Sequence, residues 1–527
     1  MRDWEGIWMA KLYNLTQDID RHAQSGKEAI RWVNAEGKRR SFSYSELKER
    51  SDRLAKGMVE LGLDKGDRVM ILLPRIPEAY LSYIACLKAG LVVIPGSEML
   101  RASDIAYRLR HSGAKAVIAH ASLAERVEEA EKQSQSLHSR LIHGEERDGW
   151  KPLLSLNGSA LTELPETTEE DMAFLSYTSG TTGNPKGVIH HHSWAIAHQK
   201  TATEAWLDIQ TDDVVWATAS PGWAKWIWSP FVSTLGAGAT AFVYHGTFDA
   251  KTYLELLQDE KINVLCCTPT EYRMMAKLDN LKDYQLYLRS AVSAGEPLNR
   301  EVIQVFQTHF GIRVRDGYGQ TENTLLVATM KDMETKQGSM GKPTPGNKVA
   351  IINDEGKEVP AGEVGHIAVH RSSPALFKGY YQDPERTRQA FIGDWYLTGD
   401  RARKDEDGYL WFEGRADDII ISSGYTIGPF EVEDALVKHP AVKECAVVAS
   451  PHEVRGSIVK AFVVLKEGFS PSEELIQKLQ DHVKKITAPY KYPREIEFVG
   501  HLPKTASGKI RRVELRNLEK QRKQASS

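Results

Sequence analysis

Tyr177-Thr-Ser-Gly-Thr-Thr-Gly-Asn-Pro-Lys-Gly-Val188 sets hydroxyls, three glycines and a single lysine between two apolar runs. That composition fits a loop that holds phosphates. Glycines let successive backbone N–H groups turn toward an anion, Ser and Thr hydroxyls add neutral donors, and Lys186 brings positive charge. The stretch is not a Walker A loop. That motif needs G-x-x-x-x-G-K-[ST] ahead of a helix, whereas Pro185 precedes the lysine here and Gly187 follows it. Read alone, the cluster could equally be a flexible linker.

The apolar pattern around it alternates between two periods. Ser43-Tyr-Ser-Glu46 has the form of a capping box, and Leu47, Leu54, Ala55, Met58 and Leu61 follow at helical spacing before the buried-strand run Val69-Met-Ile-Leu-Leu73. Helix then strand recurs: 77–89 before Leu91-Val-Val-Ile94, 102–111 before Ala116-Val-Ile-Ala119, 251–257 before Val264-Leu-Cys-Cys267, and 300–310 before Ile312-Arg-Val314. This predicts an α/β fold in which parallel-rich sheets are covered by helices. Beyond residue 340 the texture changes to short strands and Gly-Asp turns, so a small β-rich subdomain is expected over about 340–415. Arg415-Ala-Asp-Asp418 has the composition of a boundary. After it, a helix at 429–436, strands at 446–448 and 460–464 and a helix at 473–485 predict a compact α+β unit. The expected division is a domain over 1–415, a hinge at 416–418 and a domain over 419–527. The polar closing stretch from Arg511 to Ser527 is expected to fray.

Bulk properties exclude several classes. A chain of 527 residues exceeds what one hydrophobic core organises, which agrees with at least two domains. With 41% hydrophobic and 26% charged residues it reads as an ordinary globular protein, and a net charge of −3 argues against nucleic acid as a partner. Charge is unevenly spread: residues 416–527 hold 18 Lys+Arg against 15 Asp+Glu, leaving 50 against 56 before them. A mildly basic tail domain suits a polyanionic small molecule, although a merely solvated surface reads the same from charge alone. Cys86, Cys266, Cys267 and Cys445 show no metal-ligand spacing and are too few for a disulfide framework, so a reducing cytoplasm is expected. Met1-Arg-Asp-Trp-Glu-Gly6 lacks a signal-type apolar stretch, and the longest apolar run, 79–95, is broken by Lys88. Neither secretion nor a membrane span is expected.

Four more segments join the first in order: Ser293-Ala-Gly-Glu-Pro297, Asp316-Gly-Tyr-Gly-Gln-Thr-Glu322, Tyr396-Leu-Thr-Gly-Asp400 with Gly414-Arg-Ala-Asp-Asp418, and Pro503-Lys-Thr-Ala-Ser-Gly-Lys509. Any one could arise by chance. Five in sequence resemble the adenylate-forming superfamily, which includes acyl-CoA and aryl-CoA ligases, firefly-type luciferases and the adenylation domains of peptide synthetases. The likeness covers nearly the whole chain and is nearest to short- and medium-chain acyl-CoA synthetases.

The resemblance implies an AMP-forming acid–thiol ligase that uses ATP and coenzyme A as co-substrates and Mg2+ as cofactor. It assigns Thr178, Ser179, Gly180, Thr181, Thr182, Gly183 and Lys186 to the β- and γ-phosphates. Gly295, Glu296, Pro297, Asp316, Gly317 and Tyr318 look like the adenine pocket, with Tyr318 stacked on the base, and Gln320 and Thr321 join the nucleotide ligands. Asp400 resembles the ribose-hydroxyl ligand, since a carboxylate accepts two hydrogen bonds from a vicinal diol. Arg415 would close over ribose and α-phosphate. Glu322 resembles the metal ligand, which suits a hard cation bridging phosphate oxygens. Lys509 resembles the lysine that bridges the attacking carboxylate and the α-phosphate, acting as a point charge. Lys509, Thr321 and Glu322 are the expected catalytic set. Asp417 matches the hinge about which the family's mobile small domain rotates between two half-reactions, and Ser423, Gly424 and Tyr425 match the pantetheine channel for CoA. Each has a plain rival: a core tyrosine for Tyr318, an exposed loop carboxylate for Glu322, a generic basic tail for Lys509.

Two departures from the family pattern bear on function. Thr426 stands where the acyl-CoA ligases usually carry arginine, which puts a phosphate contact or a conformation-specific salt bridge in doubt. Gly319 stands where acetate-specific relatives carry a tryptophan that floors the pocket. Loss of such a ring frees about 150–250 Å² of contact, so acids longer or more branched than acetate are expected. Trp223, Ala224 and Lys225, with Trp226 and Trp228, are expected to border the acyl pocket, against the rival that tryptophans at this spacing are core. One methylene is worth about 1–3 kcal/mol, so a small set of acids is expected rather than one. His190-His-His192, without other clustered ligands, reads as hydrogen-bonding or pocket-lining rather than metal-binding. An aryl-CoA ligase for benzoate-like acids and a carrier-protein adenylation module remain as alternatives; the second is disfavoured because no carrier or condensation domain is appended. Expected partners are the acid, ATP and CoA. Monomer and homodimer stay open, as does a lysine acetyltransferase acting on Lys509.

Overall fold

Residues 11–133, 137–178, 184–295, 298, 300–336, 338–422, 425–452, 456–487, 489–504 and 509–525 are described by the structure, a computed structural model. The chain divides into a larger unit, residues 1–348 with 370–391, and a smaller one, residues 349–369 with 392–527.

In the larger unit the short apolar runs become two sheets. The first has nine strands in the order 342–343, 325–328, 314–319, 290–294, 264–267, 214–217, 240–245, 28–34 and 39–43. Its neighbours from Val314–Gly319 to Glu28–Asn34 run parallel, and antiparallel strands close both edges. The second has seven strands, 151–152, 139–143, 116–120, 68–72, 92–95, 172–178 and 186–191, all parallel except the last pair. Parallel sheets are covered on both faces, which is why Val69 to Leu73 are wholly buried.

Helix Tyr44–Glu60 starts at the expected capping box. Ser43 Oγ accepts from the Glu46 N–H at 3.2 Å, and the Ser43 N–H donates to the Glu46 carboxylate at 2.8 Å. Its stripe of Leu47, Leu54, Ala55 and Met58 enters the core, where each leucine contributes roughly 1.5–3 kcal/mol. The strand expected at 312–314 begins only at Val314 and runs to Gly319, because pairing with Ser290–Ala294 starts at Ala291 opposite Val314. Two short helices continue as π-helices: Trp194–His198 into Gln199–Leu207, and Ala224–Trp226 into Ile227–Ser233, where Pro230 removes a backbone donor.

The smaller unit contains the antiparallel pair Trp395–Lys404 with Leu410–Arg415, and a three-stranded sheet of Val442–His452, Gly456–Leu465 and Glu495–Phe498. Its closing stretch does not fray. Arg512–Ala525 is a helix: Leu515 packs with Ala446, Val448 and Phe462, and the buried Glu519 carboxylate accepts from Lys460 at 2.7 Å and Ser450 at 2.9 Å. A charged composition had hidden a single buried stripe. Among the described residues no helix is long and apolar enough to cross a membrane. The four cysteines are buried and unbridged.

Candidate functional site

The hairpin of Met172–Thr178 and Lys186–His191 carries the phosphate-type loop between its strands, with Thr178 opposite Lys186. Ser179, Gly180, Thr181, Thr182 and Gly183 lie outside the described residues. The base of the loop is tied down. Tyr107 Oη donates to the Pro185 carbonyl at 3.0 Å, His111 Nδ1 lies 2.8 Å from Tyr177 Oη, and the Arg108 guanidinium sits 5.4 Å from the centre of the Tyr177 ring.

Lys186 Nζ donates to Tyr380 Oη at 3.0 Å, and Tyr380 Oη donates to Glu322 Oε1 at 3.0 Å. The ammonium is also 3.7 Å from the Glu322 carboxylate and 4.5 Å from the Tyr380 ring centre. One tyrosine therefore couples the loop lysine to the candidate metal ligand. Sequence reasoning missed Tyr380. Its segment joins the hairpin edge through the Tyr381 N–H to the Gly187 carbonyl at 2.7 Å and the Ile189 N–H to the Gly379 carbonyl at 3.1 Å, pairing that has no periodic signature.

Residues 320–324 form the turn between strands Val314–Gly319 and Leu325–Ala328, and they present Thr321 and Glu322. Backbone carbonyls of the turn are held by Trp194 Nε1–H to Asn323 at 2.8 Å, the Phe377 N–H to Glu322 at 2.7 Å, and His190 Nε2 to Thr321 at 2.6 Å. A carbonyl only accepts, so His190 Nε2 carries the proton. Burial pushes this imidazole down to about 4, so it is neutral at pH 7.

A small cavity opens beside the turn, about 210 Å³ with its open mouth, lined by Phe174, Ser176, His190, Trp194, Ala224, Ile227, Trp228 and Thr321. Among the described residues no carboxylate, lysine or arginine lines it. Of the six acyl-pocket candidates, Ala224 and Trp228 belong to it. Trp223 is 37% exposed, and Lys225 donates to the Ala294 carbonyl at 3.0 Å. Trp226 is core, packed among Tyr80, Tyr83 and Phe231. Trp228 does line the cavity, and Phe174, His190 and Trp194 are walls drawn from another stretch of chain.

Gly319 is also corrected. A Cβ there would lie 2.2 Å from the Thr324 carbonyl oxygen, so the glycine answers a close backbone approach rather than leaving room for a longer acid. Gly319→Ala should lower the melting temperature, overpacking costing about 1–3 kcal/mol, and leave the acetate-to-butyrate ratio of kcat/KM unchanged. A changed ratio at unchanged melting temperature would return Gly319 to the acyl site.

Asp316 and Gly317 pair with Ser293 and Ala294, so Asp316 to Tyr318 and Gly295 meet at the carboxyl ends of adjacent parallel strands, where α/β sheets take ligands. Gly295 has φ +105°, a conformation that favours glycine; Glu296 and Pro297 lie outside the described residues. Asp316 Oδ1 accepts from the Gly317 N–H at 2.8 Å, and burial raises its carboxyl to about 7. Tyr318 is half-buried opposite Val327, and Gln320 opens the turn.

Within the smaller unit, Asp400 and Arg415 are cross-strand partners, with Arg415 Nη1 donating to Asp400 Oδ1 at 3.2 Å. Asp417 lies between Arg415 at 3.6 Å and Arg516 at 3.1 Å. Lys509 is exposed; beside it Lys504 pairs with Ile510 and the Arg511 N–H donates to the Pro503 carbonyl at 2.8 Å. The backbone of Tyr425 pairs with Ser422; Ser423 and Gly424 lie outside the described residues. Among the described residues no group of three His, Cys, Asp or Glu side chains could hold a metal.

The chain matches the AMP-binding enzyme family over residues 19–381 and the AMP-binding enzyme C-terminal domain over 431–509. It is 61% identical over 515 residues to an uncharacterized acyl-CoA ligase, YtcI, of Bacillus subtilis (strain 168), with 97% of each chain covered. It is 43% identical over 533 residues to the mitochondrial acyl-coenzyme A synthetase ACSM3 of Rattus norvegicus, covering 97% of this chain and 92% of the rat protein. The crystal structure of the anthranilate CoA ligase AuaEII in complex with anthranoyl-AMP matches with a TM-score of 0.89 at 30% identity, covering 97% of this chain and 98% of that one. The chain belongs to the AMP-binding enzyme family.

Proposed function

We propose that this enzyme joins a carboxylic acid with an uncharged tail, short and branched or of medium length, to CoA through an acyl-adenylate, releasing AMP and pyrophosphate. The observation that carries the reading is one shared strand. Lys186, beside the phosphate-type loop, and His190, in the cavity wall, both stand on it, while the turn opposite supplies Thr321 to the cavity and Glu322 to Lys186. Acid and triphosphate would then be gripped by the same hairpin and the same turn. Such positioning converts a bimolecular encounter into a local one. A wall without charged groups among the described residues favours an apolar tail, since an ion taken there would lose its solvation unpaired. The acyl-CoA ligases among its relatives and the acyl-adenylate held by AuaEII support the intermediate.

The remaining roles follow the same reading. Thr178 to Lys186 would hold the β- and γ-phosphates, Asp316 to Tyr318 with Gly295 the adenine, Asp400 the ribose diol, and Arg415 the α-phosphate side. Glu322 would hold Mg2+, and the donor set fits, because this ion is commonly bound by one or two carboxylates completed by substrate phosphates. When bound, Mg2+ neutralises phosphate oxygens. Lys509 would serve adenylation and Ser423 to Tyr425 the CoA thiol arm, with the chain divided at 416–418 and Asp417 as the pivot. Buried, unbridged cysteines support a cytoplasmic location.

A second reading, an aryl-CoA ligase, is favoured by the two indoles in the cavity wall, which can stack on an aromatic acid. Pyrophosphate and AMP release across acetate, butyrate, 2-methylbutyrate, octanoate, benzoate and anthranilate, with and without CoA, decides. Aliphatic acids should give AMP and thioester in equal amounts. Benzoate or anthranilate as the best substrate selects the second reading, and ADP with inorganic phosphate as products would overturn both.

A further inference from the structure

We propose that His198 is the positioning residue that sets which acids the cavity accepts, by fixing the spacing between the Thr321–Glu322 turn and the Trp194 and Trp228 walls. The proposal rests on the acyl-CoA synthetase reading. His198 ends helix Trp194–His198 and is wholly buried. Its Nδ1 lies 2.6 Å from Thr324 Oγ1, at the end of the turn that bears Thr321 and Glu322. Its Nε2 lies 3.0 Å from the Trp228 carbonyl and 3.0 Å from Ser233 Oγ, both in the π-helix Ile227–Ser233. Its ring face stacks on Trp194 with centroids 4.5 Å apart and planes 14° apart. Trp194 and Trp228 both line the cavity.

These contacts admit one protonation pattern. The Trp228 carbonyl only accepts, so Nε2 carries a proton. Burial drives the imidazole down to about 3, so the ring is neutral at pH 7 and Nδ1 keeps its lone pair. The Thr324 hydroxyl therefore donates to Nδ1. Each nitrogen has one role, which fixes the ring and, through it, the distance from the turn to the main chain of Trp228. The π-helix closes i→i−5 bonds in place of the i→i−4 ladder, and the His198 bond to the Trp228 carbonyl ties it to the turn. His198 acts as a spacer and touches neither substrate nor reacting atoms.

The test uses steady-state kinetics with octanoate and butyrate on the full-length enzyme. His198→Asn keeps an acceptor near the place of Nδ1 and loses the donor to Trp228. It should shift the octanoate-to-butyrate ratio of kcat/KM about tenfold toward octanoate, the order of one methylene in an apolar pocket, with KM for ATP unchanged. His198→Gln, whose amide N–H reaches the place of Nε2 and keeps the Trp228 link while giving up the one to Thr324, should shift the ratio in the same direction by less than His198→Asn does. If His198→Asn does not fold, Thr324→Val, which removes the donor to Nδ1 at constant shape, should shift the same ratio. Equal losses for both acids, or a KM for ATP that rises in step, overturn the proposal. Absence of acid-dependent AMP formation by the wild type overturns it together with the reading on which it rests.

Discussion

Lys509→Ala should abolish acyl-adenylate formation while leaving thioester synthesis from preformed acyl-AMP close to wild type. The lysine is exposed, and the neighbouring Lys504–Ile510 pairing and Arg511 to Pro503 bond are backbone contacts, so removing its side chain leaves them in place. Its proposed task is to place a point charge where negative charge develops as carboxylate meets α-phosphate. Deleting one preorganised group of that kind costs about 10²–10³ in kcat. Transfer of the acyl group to CoA starts from an adenylate already made and needs no such charge. Acid-dependent pyrophosphate exchange should therefore fall by at least about a hundredfold, while thioester formation from synthetic acyl-AMP changes by less than about threefold. Equal losses in both half-reactions would sink the division of labour.

How far the site was legible depends on where each part lies along the chain. The Tyr177 to Val188 loop and the Gln320 to Glu322 triplet are contiguous, and glycine, hydroxyl and charge at fixed offsets announce them. The α/β architecture was equally open, because parallel strands buried on both faces leave unbroken apolar runs such as Val69 to Leu73. The cavity was not. Phe174, Trp194 and Trp228 become neighbours only once strand Met172–Thr178 pairs with Lys186–His191 and the π-helix Ile227–Ser233 packs beside Trp194, and no local pattern encodes that meeting. Tyr380 is hidden for the same reason, lying far along the chain from the Lys186 it touches. Gly319 misled differently. A glycine forced by a facing carbonyl and a glycine that vacates a pocket are the same letter, and only the position of Thr324 tells them apart. His198 reads as one more core histidine until both nitrogens are assigned partners.

Lys460→Met should destabilise the smaller unit by about 3–5 kcal/mol, the cost of leaving a buried charge without its partner. Lys460 Nζ lies 2.7 Å from Glu519 Oε1, 2.9 Å from Glu497 and 3.7 Å from Glu495. Glu519 is 0% exposed, and without the lysine it keeps, among the described residues, the Ser450 hydroxyl and Arg522 at 3.6 Å. Glu495 and Glu497 are each about a third exposed and can turn to water, so the damage falls on Glu519. That carboxylate anchors helix Arg512–Ala525 to strands Val442–His452 and Gly456–Leu465. Amide hydrogen exchange should therefore speed in those three elements and stay unchanged in the larger unit. Lys460→Met combined with Glu519→Leu removes both charges and should recover most of the loss. A double variant no more stable than Lys460→Met would mean that the pair contributes through packing rather than charge.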